Sequence, residues 1–479
     1  DMAERENQCN SGAWLKYLTL ASLIIGSLAA VIGMNTDELL AVLNSQWVPK
    51  GFLGFLLFFG VLYNLLTIVL GTICYREKPI LPDDQLPSCT VIVPAYNEGE
   101  AVTIALKSIL ASNYPAGKLE IIAIDDGSRD DTWKWIAEAA AASNGRIRGV
   151  KLEQNRGKRH AIQYGAKLSK MDVIITVDSD SVVEADSIRY LTSPFVDPTV
   201  GAVAGSVQVS NLSDGVLPRM MDAHYAFSCC ILRAANSVMR TVVCTPGALS
   251  AYRRSALMEF LDRWADQTFC GRPAGIGEDR ALTTFMLRHR WHVLYQRHAV
   301  VHTEMPSKYQ ATYRMMLRWE RGNIREMLST YEFAFRRFDW FHLAIQLNLV
   351  FQTYLFIQSL FFLPFVILGM IAAPVFWWQC MFLLTVLWTA LPALCYYLMS
   401  GGTGWIWTFT YTFFRTFFLF WISPYSLFTV RNSGWLTRGK AEEEAQKTEP
   451  DPIGPLPHSG AVFAGEATGG TAPARFQFR

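Results

Sequence analysis

The chain has 479 residues, of which 51% are hydrophobic, 13% aromatic and only 18% charged. Soluble domains usually carry about 25% charged residues. This composition excludes a disordered, collagenous or small disulfide-stapled protein, and it leaves room for one large soluble domain and several membrane spans. Because 43 basic residues are balanced by 41 acidic ones, we expect no nucleic-acid partner. The nine cysteines show no regular spacing, which favours reduced thiols over disulfides.

Two apolar runs lie near the start of the chain. Residues 14–34 and 51–74 each provide the roughly 20 residues that cross a hydrocarbon layer. We interpret both as retained helices, because the first has no clear small-residue cleavage site and a second run follows at once. Positive charge directly after the second run predicts that the next segment lies on the cytoplasmic side of the membrane.

Residues 79–339 have the composition of an ordinary α/β domain. Short β-branched runs at 89–93, 119–124 and 173–177 alternate with helical stretches such as 101–112 and 131–142. That alternation predicts βαβ units and a Rossmann-like, mostly parallel sheet. The continuous hydrophobic character of the strands is typical of a sheet covered on both faces.

The apolar signal returns at residue 341. The stretches 343–373 and 376–399 are long enough for two spans. The stretch 405–430 carries Arg415 in its middle, which is costly in lipid, so we predict a re-entrant or interfacial segment there. The amphipathic stretch 314–325 predicts a helix at the membrane interface whose arginine stems extend to the headgroups.

Acidic side chains follow three of the predicted strands. VIVPAYNE ends with Glu98, IIAIDDGS contains Asp125 and Asp126, and IITVDSDS contains Asp178 and Asp180. In an open α/β sheet ligands bind at the carboxyl ends of strands, so the three ends predict one shared site. Two aspartates at i and i+2 can bind Mg²⁺, which takes one or two carboxylates and completes its shell with phosphate and water. An isolated Asp-x-Asp is more often a solvated turn, but its place after a hydrophobic strand and about fifty residues beyond DDGS favours a nucleotide-diphosphate site.

Three further motifs carry side chains suited to group transfer. In NRGKRH, Lys158 is either a cationic contact to a nucleotide or part of a solvated loop. In GEDR, Glu278 and Asp279 suit the first turn of a helix, and Asp279 also suits a general base for an acceptor hydroxyl. In RMMLRWERGNIR, Arg318 can meet a phosphate while Trp319 can stack on a sugar ring. The sequence has no GxGxxG or Walker A motif, so dinucleotide and P-loop sites lose their usual support.

The motifs DDGS, DSDS, GEDR and RW resemble, in order and spacing, those of the inverting family-2 glycosyltransferases with a GT-A fold, in their processive, membrane-embedded branch. Within that branch, NRGKRHA, QTFCGRPAGIGEDRALT and FTVRNSGWLTRG are most similar to hyaluronan synthases and chitin-oligosaccharide synthases. The resemblance implies that UDP-GlcNAc, with or without UDP-GlcA, is polymerised into a hyaluronan- or chitin-type polysaccharide that crosses the bilayer. The alternatives are a non-processive transferase that adds one sugar to a lipid phosphate, and a transport or scaffold protein with a degenerate nucleotide fold.

The resemblance also implies roles for the matching residues. Asp279 would be the base, Glu278 shares its motif, Arg318 would assist at the diphosphate, and Trp319 would support the terminal sugar of the growing polysaccharide. Mg²⁺ or Mn²⁺ would be held by Asp180 with the help of Asp178. The UDP-sugar would be bound by residues drawn from several motifs, namely Glu98, Asp125, Lys158, Asp178, Cys244, Arg318, Trp435, Thr437 and Arg438.

The implied organisation is a multi-pass protein of the plasma (inner) membrane with a cytosolic catalytic domain. Its segments would be two N-terminal transmembrane helices (1–78), the GT-A domain (79–305), interfacial amphipathic helices (306–340), C-terminal transmembrane or re-entrant helices (341–430), a gating segment over the nucleotide (431–439) and a disordered tail (440–479). Two positions depart from the family motifs. Met315 replaces the glutamine of QxxRW and Leu436 replaces the glycine of WGTR, so we expect an altered acceptor contact and an altered loop closure.

Overall fold

A computed structural model of the chain describes residues 21, 25, 50–400, 403–434 and 462–463. The predicted span at 14–34 and the gating residues Trp435, Thr437 and Arg438 therefore lie outside the described residues, apart from two positions of the span. Within the described part, an α/β domain is followed by long apolar helices. This arrangement confirms the predicted fold class.

The domain is built on a mixed sheet. Its strands and those of a small separate ribbon are β1 (Cys89–Ala95), β2 (Leu119–Asp125), β3 (Ile147–Lys151), β4 (Val173–Val177), β5 (Val182–Val183), β6 (Val200–Val209), β7 (Leu249–Arg253), β8 (Thr268–Phe269), β9 (Arg272–Pro273), β10 (His292–Thr303) and β11 (Val462–Phe463). The nine-stranded sheet has the spatial order β11-β3-β2-β1-β4-β7-β6-β10-β5, and β8 pairs with β9. The three predicted strands are confirmed as β1, β2 and β4, and β1 and β2 are slightly longer than predicted.

Strand direction brings the predicted acidic ends to one edge of the sheet. β1 lies between β2 and β4 and runs parallel to both, with Cys89 opposite Leu119 and Val173. β7 runs antiparallel to β4, with Leu249 opposite Val177, so the segment before β7 reaches the same edge. All residues of β1 and β4 are buried, because continuous apolar strands are stable only when both faces of the sheet are covered.

Helices surround the sheet and extend beyond it. They are α1 (Lys50–Ile68), α2 (Val102–Leu110), α3 (Thr132–Ala142), α4 (Lys158–Leu168), α5 (Ser187–Thr192), α6 (Val216–Phe227), α7 (Ala234–Val238), α8 (Arg254–Met258), α9 (Leu261–Ala265), α10 (Glu278–Arg288), α11 (Tyr309–Ala334), α12 (Trp340–Ala372), α13 (Pro374–Ser400), α14 (Ile406–Phe418) and α15 (Ile422–Phe428). The apolar core between strands and helices includes the fully buried rings of Trp264 and Phe260.

Among the described residues, two helices are long and apolar enough to cross a membrane, over Trp340–Ile371 and Pro374–Tyr397. The earlier run at 51–74 is helical as well, as α1 and a π-helical turn, Val69–Cys74. The stretch 405–430 is divided into α14, of 13 residues, and α15, of 7 residues. Each is shorter than the roughly 20 residues of a full span, so its re-entrant or interfacial position stays a prediction.

The amphipathic segment differs from the prediction in one respect. It forms a single helix of 26 residues, α11, and two of its arginines are buried instead of extending towards headgroups. Arg321 and Arg325 are each 3% exposed, and the guanidinium group of Arg321 donates to Oγ1 of Thr429 at 3.1 and 2.9 Å. The arginines of this part of α11 therefore contribute to contacts within the protein.

Two residues of the C-terminal tail and eight of the cysteines lie in the described part of the chain. Within the tail predicted as disordered, Val462–Phe463 pair with the edge strand β3 opposite Val150 and Gly149, and the other residues of the tail lie outside the described part of the chain. The eight cysteines in the described part of the chain form no disulfide with one another, and their reduced state stays a prediction.

Candidate active site

The candidate site lies at the edge where β1, β2 and β4 end. Glu98 follows β1, is half-buried, and its backbone N–H donates to Oγ1 of Thr132 at 2.9 Å. Asp125 is the last residue of β2, and its Oδ1 accepts the N–H of Ser128 at 2.8 Å. Its Oδ2 is buried without a hydrogen-bond partner among the described residues. A buried oxygen of this kind is costly unless a polar partner binds it, so the position suits a hydrogen-bonding ligand.

Asp126 shapes the loop that carries Lys158. Its two carboxylate oxygens accept the N–H groups of Arg156 at 3.0 Å and Gly157 at 2.8 Å. Gly157 has φ +89, a conformation that favours glycine, and α4 begins at the next residue. The loop therefore directs Lys158 towards the acidic strand ends.

Lys158 bridges two carboxylates in the site. Its Nζ lies 2.5 Å from Oδ1 of Asp178 and 2.9 Å from Oε1 of Glu278. Burial by itself would lower the pKa of Lys158, but the two carboxylates raise it above its ordinary value. Burial by itself would raise the pKa of Glu278, but Lys158 and Arg318 hold it at about 2. The group is therefore a charged cluster, and the predicted contact of Lys158 with a nucleotide stays a prediction.

Asp279 lies in the first turn of α10, next to this cluster. Its Oδ1 accepts the N–H of Arg280 at 2.7 Å, and its Oδ2 accepts the N–H of Gly247 at 3.2 Å. Burial and the negative charge of Glu278 raise the pKa of Asp279 above its ordinary value. A carboxylate whose pKa is raised towards neutrality is a better proton acceptor, so this arrangement suits a general base.

The segment before β7 closes the other side of Asp279. The Sγ atom of Cys244 lies 3.9 Å from Oδ2 of Asp279. Burial, followed by the charge of Asp279, raises the pKa of Cys244 to about 12, so the thiol stays protonated and can donate to the carboxylate. The backbone N–H of Thr245 donates to Oγ1 of Thr283 on α10 at 3.0 Å, which fixes the segment against that helix.

Gly247 is a site residue that the motifs did not indicate. A Cβ atom at this position would lie 3.0 Å from Nζ of Lys158 and 3.6 Å from Oδ2 of Asp178. A side chain at this position would therefore require the ammonium group of Lys158 to shift. The available signal was the Pro-Gly pair shortly before β7, which is typical of a turn.

Asp178 and Asp180 carry the two carboxylates that could hold a divalent cation. Burial and the charge of Asp178 raise the pKa of Asp180, which is the pattern expected where two carboxylates share a site. Among the described residues no group of three or more His, Cys, Asp or Glu side chains could hold a metal ion. Two carboxylates are the number that Mg²⁺ takes when its remaining ligands come from phosphate and water.

Arg318 and Trp319 reach the site from α11. The charge of Arg318 contributes to the low pKa of Glu278. The ring of Trp319 packs edge-on against the ring of Tyr225, with 6.1 Å between the ring centroids. Met315, which stands in place of the expected glutamine, is buried in an apolar cluster with Met305 and other side chains, and Trp319 packs against the same cluster. Packing has therefore replaced a polar group here.

A close contact between two glycines sets α10 against α11. A Cβ atom at Gly277, which has φ +74, would lie 3.1 Å from Cα of Gly322. Gly277 directly precedes α10, and Gly322 follows Trp319 by less than one turn of α11. The contact places the GEDR and RW motifs side by side, and sequence reasoning did not identify it.

The structure thus brings most of the predicted residues together. Direct contacts link Lys158, Asp178, Cys244, Glu278 and Asp279. Asp180 and Arg318 are electrostatically coupled to members of this group. Glu98 and Asp125 lie at the neighbouring strand ends.

Comparisons with known proteins identify the family of this chain. The family model described as glycosyltransferase like family 2 matches residues 87–322. An N-acetylglucosaminyltransferase of Rhizobium meliloti (strain 1021) is 33% identical over 366 residues, which are 75% of this chain and 83% of that protein. An N-acetylglucosaminyltransferase of Rhizobium sp. (strain N33) is 35% identical over 257 residues, and the matched part spans 57% of that protein.

A solved structure shares the fold. The mannosyltransferase PcManGT from Pyrobaculum calidifontis, in complex with GDP-Man and Mn²⁺, aligns with a TM-score of 0.54 at 19% identity, over 76% of this chain and 96% of that chain. The GT-A type of α/β fold expected from the motifs is thereby confirmed. With the family match and the Rhizobium relatives, it follows that this chain belongs to glycosyltransferase family 2 and is a glycosyltransferase.

Proposed function

We propose that this glycosyltransferase is a processive, inverting enzyme that transfers N-acetylglucosamine from UDP-GlcNAc, alone or with UDP-GlcA as second donor, to a growing chitin- or hyaluronan-type polysaccharide. The Rhizobium relatives are N-acetylglucosaminyltransferases, which supports N-acetylglucosamine as the transferred sugar. The RW and WLTRG motifs and the apolar helices α12 and α13 support retention and export of a polymer. The observation that carries the proposal is the position of Asp279 beside the acidic strand ends.

In the proposed reaction the ionised carboxylate of Asp279 accepts the proton of an acceptor hydroxyl. The acceptor oxygen forms a bond to the anomeric carbon while the bond from that carbon to the diphosphate oxygen breaks, and UDP leaves with the bonding electron pair. Attack from the face opposite UDP inverts the anomeric configuration, so an α-linked donor gives a β-linked product. The raised pKa of Asp279 supports this role.

The donor would lie across the ends of β1, β2 and β4. Glu98 and Asp125 would line the uridine pocket, where the unpartnered Oδ2 of Asp125 supports a polar contact. Asp178 and Asp180 would hold Mg²⁺ or Mn²⁺, and such an ion, when bound, neutralises negative charge on the leaving diphosphate. The remaining proposed donor contacts are Lys158, Cys244, Arg318, Trp435, Thr437 and Arg438.

The acceptor would approach from the side of α11. Trp319 would support its terminal sugar, next to the ring of Tyr225. The helices α12 and α13 would contribute to a channel in the plasma membrane, with the catalytic domain in the cytosol. This placement is supported by the length and apolar character of the two helices.

The experiment that tests the proposal is UDP release by the purified full chain in nanodiscs with Mn²⁺ or Mg²⁺. UDP-GlcNAc, UDP-GlcA and both together are supplied, and the products are treated with chitinase and with hyaluronidase. Asp279→Asn is the inactive variant, and Asp84→Asn, an exposed carboxylate, is its matched control. We expect Asp279→Asn to lose activity by about 10²- to 10⁴-fold and Asp84→Asn to keep it.

The products decide between the alternatives. A chitinase-sensitive polymer from UDP-GlcNAc alone indicates the chitin type, and a hyaluronidase-sensitive polymer that needs both donors indicates the hyaluronan type. A lipid that carries a single sugar would replace the processive reading with the non-processive one. If the Asp279→Asn variant releases UDP at the rate of the wild type, Asp279 is not the base.

A further inference from the structure

Arg280 lies next to Asp279 in the chain, but its side chain extends to two other helices. Its backbone N–H donates to Oδ1 of Asp279 at 2.7 Å. Its Nη1 donates to Oδ1 of Asn323 on α11 at 3.1 Å, and its Nη2 donates to Oε1 of Gln352 on α12. One residue thus joins the first turn of α10 to α11 and to a candidate membrane span.

The contact is sheltered at the junction of these helices. A narrow cavity beside it is lined by polar and apolar side chains, including Arg280, Thr284, Asn348 and Gln352. The Nε atom of Arg280 is buried without a hydrogen-bond partner among the described residues. The two hydrogen bonds of the guanidinium group thus hold the start of α10 against α11 and α12.

The first half of α12 is attached to the catalytic domain. At 33 residues, α12 measures about 50 Å, longer than the hydrocarbon core of about 30 Å. Its first turns are bound to the end of α11 and the following loop, where Nε2 of Gln346 donates to the carbonyl oxygens of Ala334 and Arg337 at 2.9 and 3.0 Å. A shift of α12 in the membrane would therefore act on the domain at Gln352 as well.

We propose that Arg280 is a positioning residue that ties Asp279 to the membrane helix α12 through Gln352. The tie makes the geometry of proton transfer depend on the position of α12, the helix proposed to border the exported polymer. It rests on the proposed function to the extent that Asp279 is the base. The contacts of Arg280 themselves do not depend on that function.

The test removes the acceptor on α12 and leaves the α10 motif unchanged. Gln352→Leu deletes the oxygen that Arg280 contacts, and Gln352→Glu restores an acceptor. Gln358→Leu is the matched control, because Gln358 is an exposed glutamine on the same helix. All four proteins, including the wild type, are full chains in nanodiscs.

Two measurements are made on each protein. The first is kcat and the donor KM for UDP release, and the second is hydrogen–deuterium exchange of a peptide covering residues 277–284. We expect Gln352→Leu to lower kcat about tenfold with KM changed less than twofold, since a small misplacement of a reacting group lowers the rate of the chemical step. We also expect faster exchange in the first turn of α10, with both effects reversed in Gln352→Glu and absent in Gln358→Leu.

The outcomes separate this tie from the proposed function. Unchanged kcat and exchange in Gln352→Leu, or equal losses in Gln358→Leu, would overturn the tie. If the wild type releases no UDP from either donor, the proposed function fails, and the exchange measurement alone still decides whether Gln352 holds α10.

Discussion

Nζ of Lys158 lies 2.9 Å from Oε1 of Glu278, and the ion pair joins the first residue of α4 to the first residue of α10. The same ammonium group contacts Asp178 at the end of β4. The pair therefore sets the distance between the proposed diphosphate side of the site and Asp279, the residue after Glu278. The charges of Lys158 and Glu278 also act on the pKa of Asp279.

Replacing Lys158 with methionine should destabilise the protein and impair donor use. Removal of one partner from a buried ion pair costs about 3–5 kcal/mol, and Lys158→Met removes the ammonium group that pairs with both Asp178 and Glu278. Lys167→Met is the matched control, since Lys167 lies on the same helix and pairs with Asp262 where the side chains are 36% and 69% exposed. Such a surface pair contributes at most about 1 kcal/mol. Thermal unfolding measures both variants, and equal shifts would contradict the assignment.

The pH dependence of kcat should reflect the environment of Asp279. The groups that act on it are Glu278 on α10, Lys158 on α4 and Asp178 after β4, and the net effect of these and of burial raises its pKa above the ordinary 3.8. Because the base must be ionised, kcat should rise with pH through a value above 3.8. Lys158 lowers this pKa, so Lys158→Met should move the acid limb to higher pH. An acid limb at the ordinary aspartate value in the wild type would show that the environment does not perturb Asp279.

Asp279→Asn should be inactive but at least as stable as the wild type. A carboxyl group whose pKa is raised on folding destabilises the folded state at pH values above its unfolded pKa. The substitution removes that cost, so at neutral pH we expect the variant to gain stability. The difference should shrink as the pH falls and the wild-type carboxylate takes up a proton. Thermal unfolding at several pH values measures it, and a strongly destabilised variant at pH 7 would refute the expectation.

Gly277→Ala should separate α10 from α11, whereas Gly271→Ala should not. Both glycines have positive φ, +74 and +76, but a Cβ atom at Gly271 has nothing within 4 Å, while one at Gly277 would lie 3.1 Å from Cα of Gly322. Both variants carry the backbone cost of about 1–2 kcal/mol, and only Gly277→Ala adds overpacking of about 1–3 kcal/mol. UDP release and thermal unfolding should therefore be affected more at Gly277. Similar losses at the two positions would mean that backbone strain alone is responsible.

Asp180→Asn should weaken the dependence on a divalent cation. Loss of a carboxylate from the Asp178–Asp180 pair should raise the Mn²⁺ concentration for half-maximal UDP release at least tenfold, a loss typical of altered metal sites. Asp186→Asn, which changes an exposed carboxylate just beyond β5, is the control and should leave the Mn²⁺ curve unchanged. If Asp180→Asn depends on Mn²⁺ in the same way as the wild type, Asp180 does not bind the cation.

Local signals were enough to predict the strands and the acidic ends of the site. The β-branched runs that form β1, β2 and β4 are continuous in sequence, and parallel pairing brings their ends together. The position of Glu278 and Asp279 in a first helical turn also follows from local preference, since acidic residues stabilise that end of a helix. These features depend on neighbours in the chain, so composition and periodicity reveal them.

Contacts between distant segments could not be derived in this way. The ion pair of Lys158 with Glu278, the close approach of Gly277 to Gly322 and the bond from Arg280 to Gln352 each join helices that are far apart in sequence. Which side chains meet depends on how α4, α10, α11 and α12 are oriented and packed, and periodicity within one helix carries no information about its partner. The chemical groups of the site are thus legible in the amino-acid sequence, while their charges, distances and attachment to the membrane helices arise only when the helices are packed together.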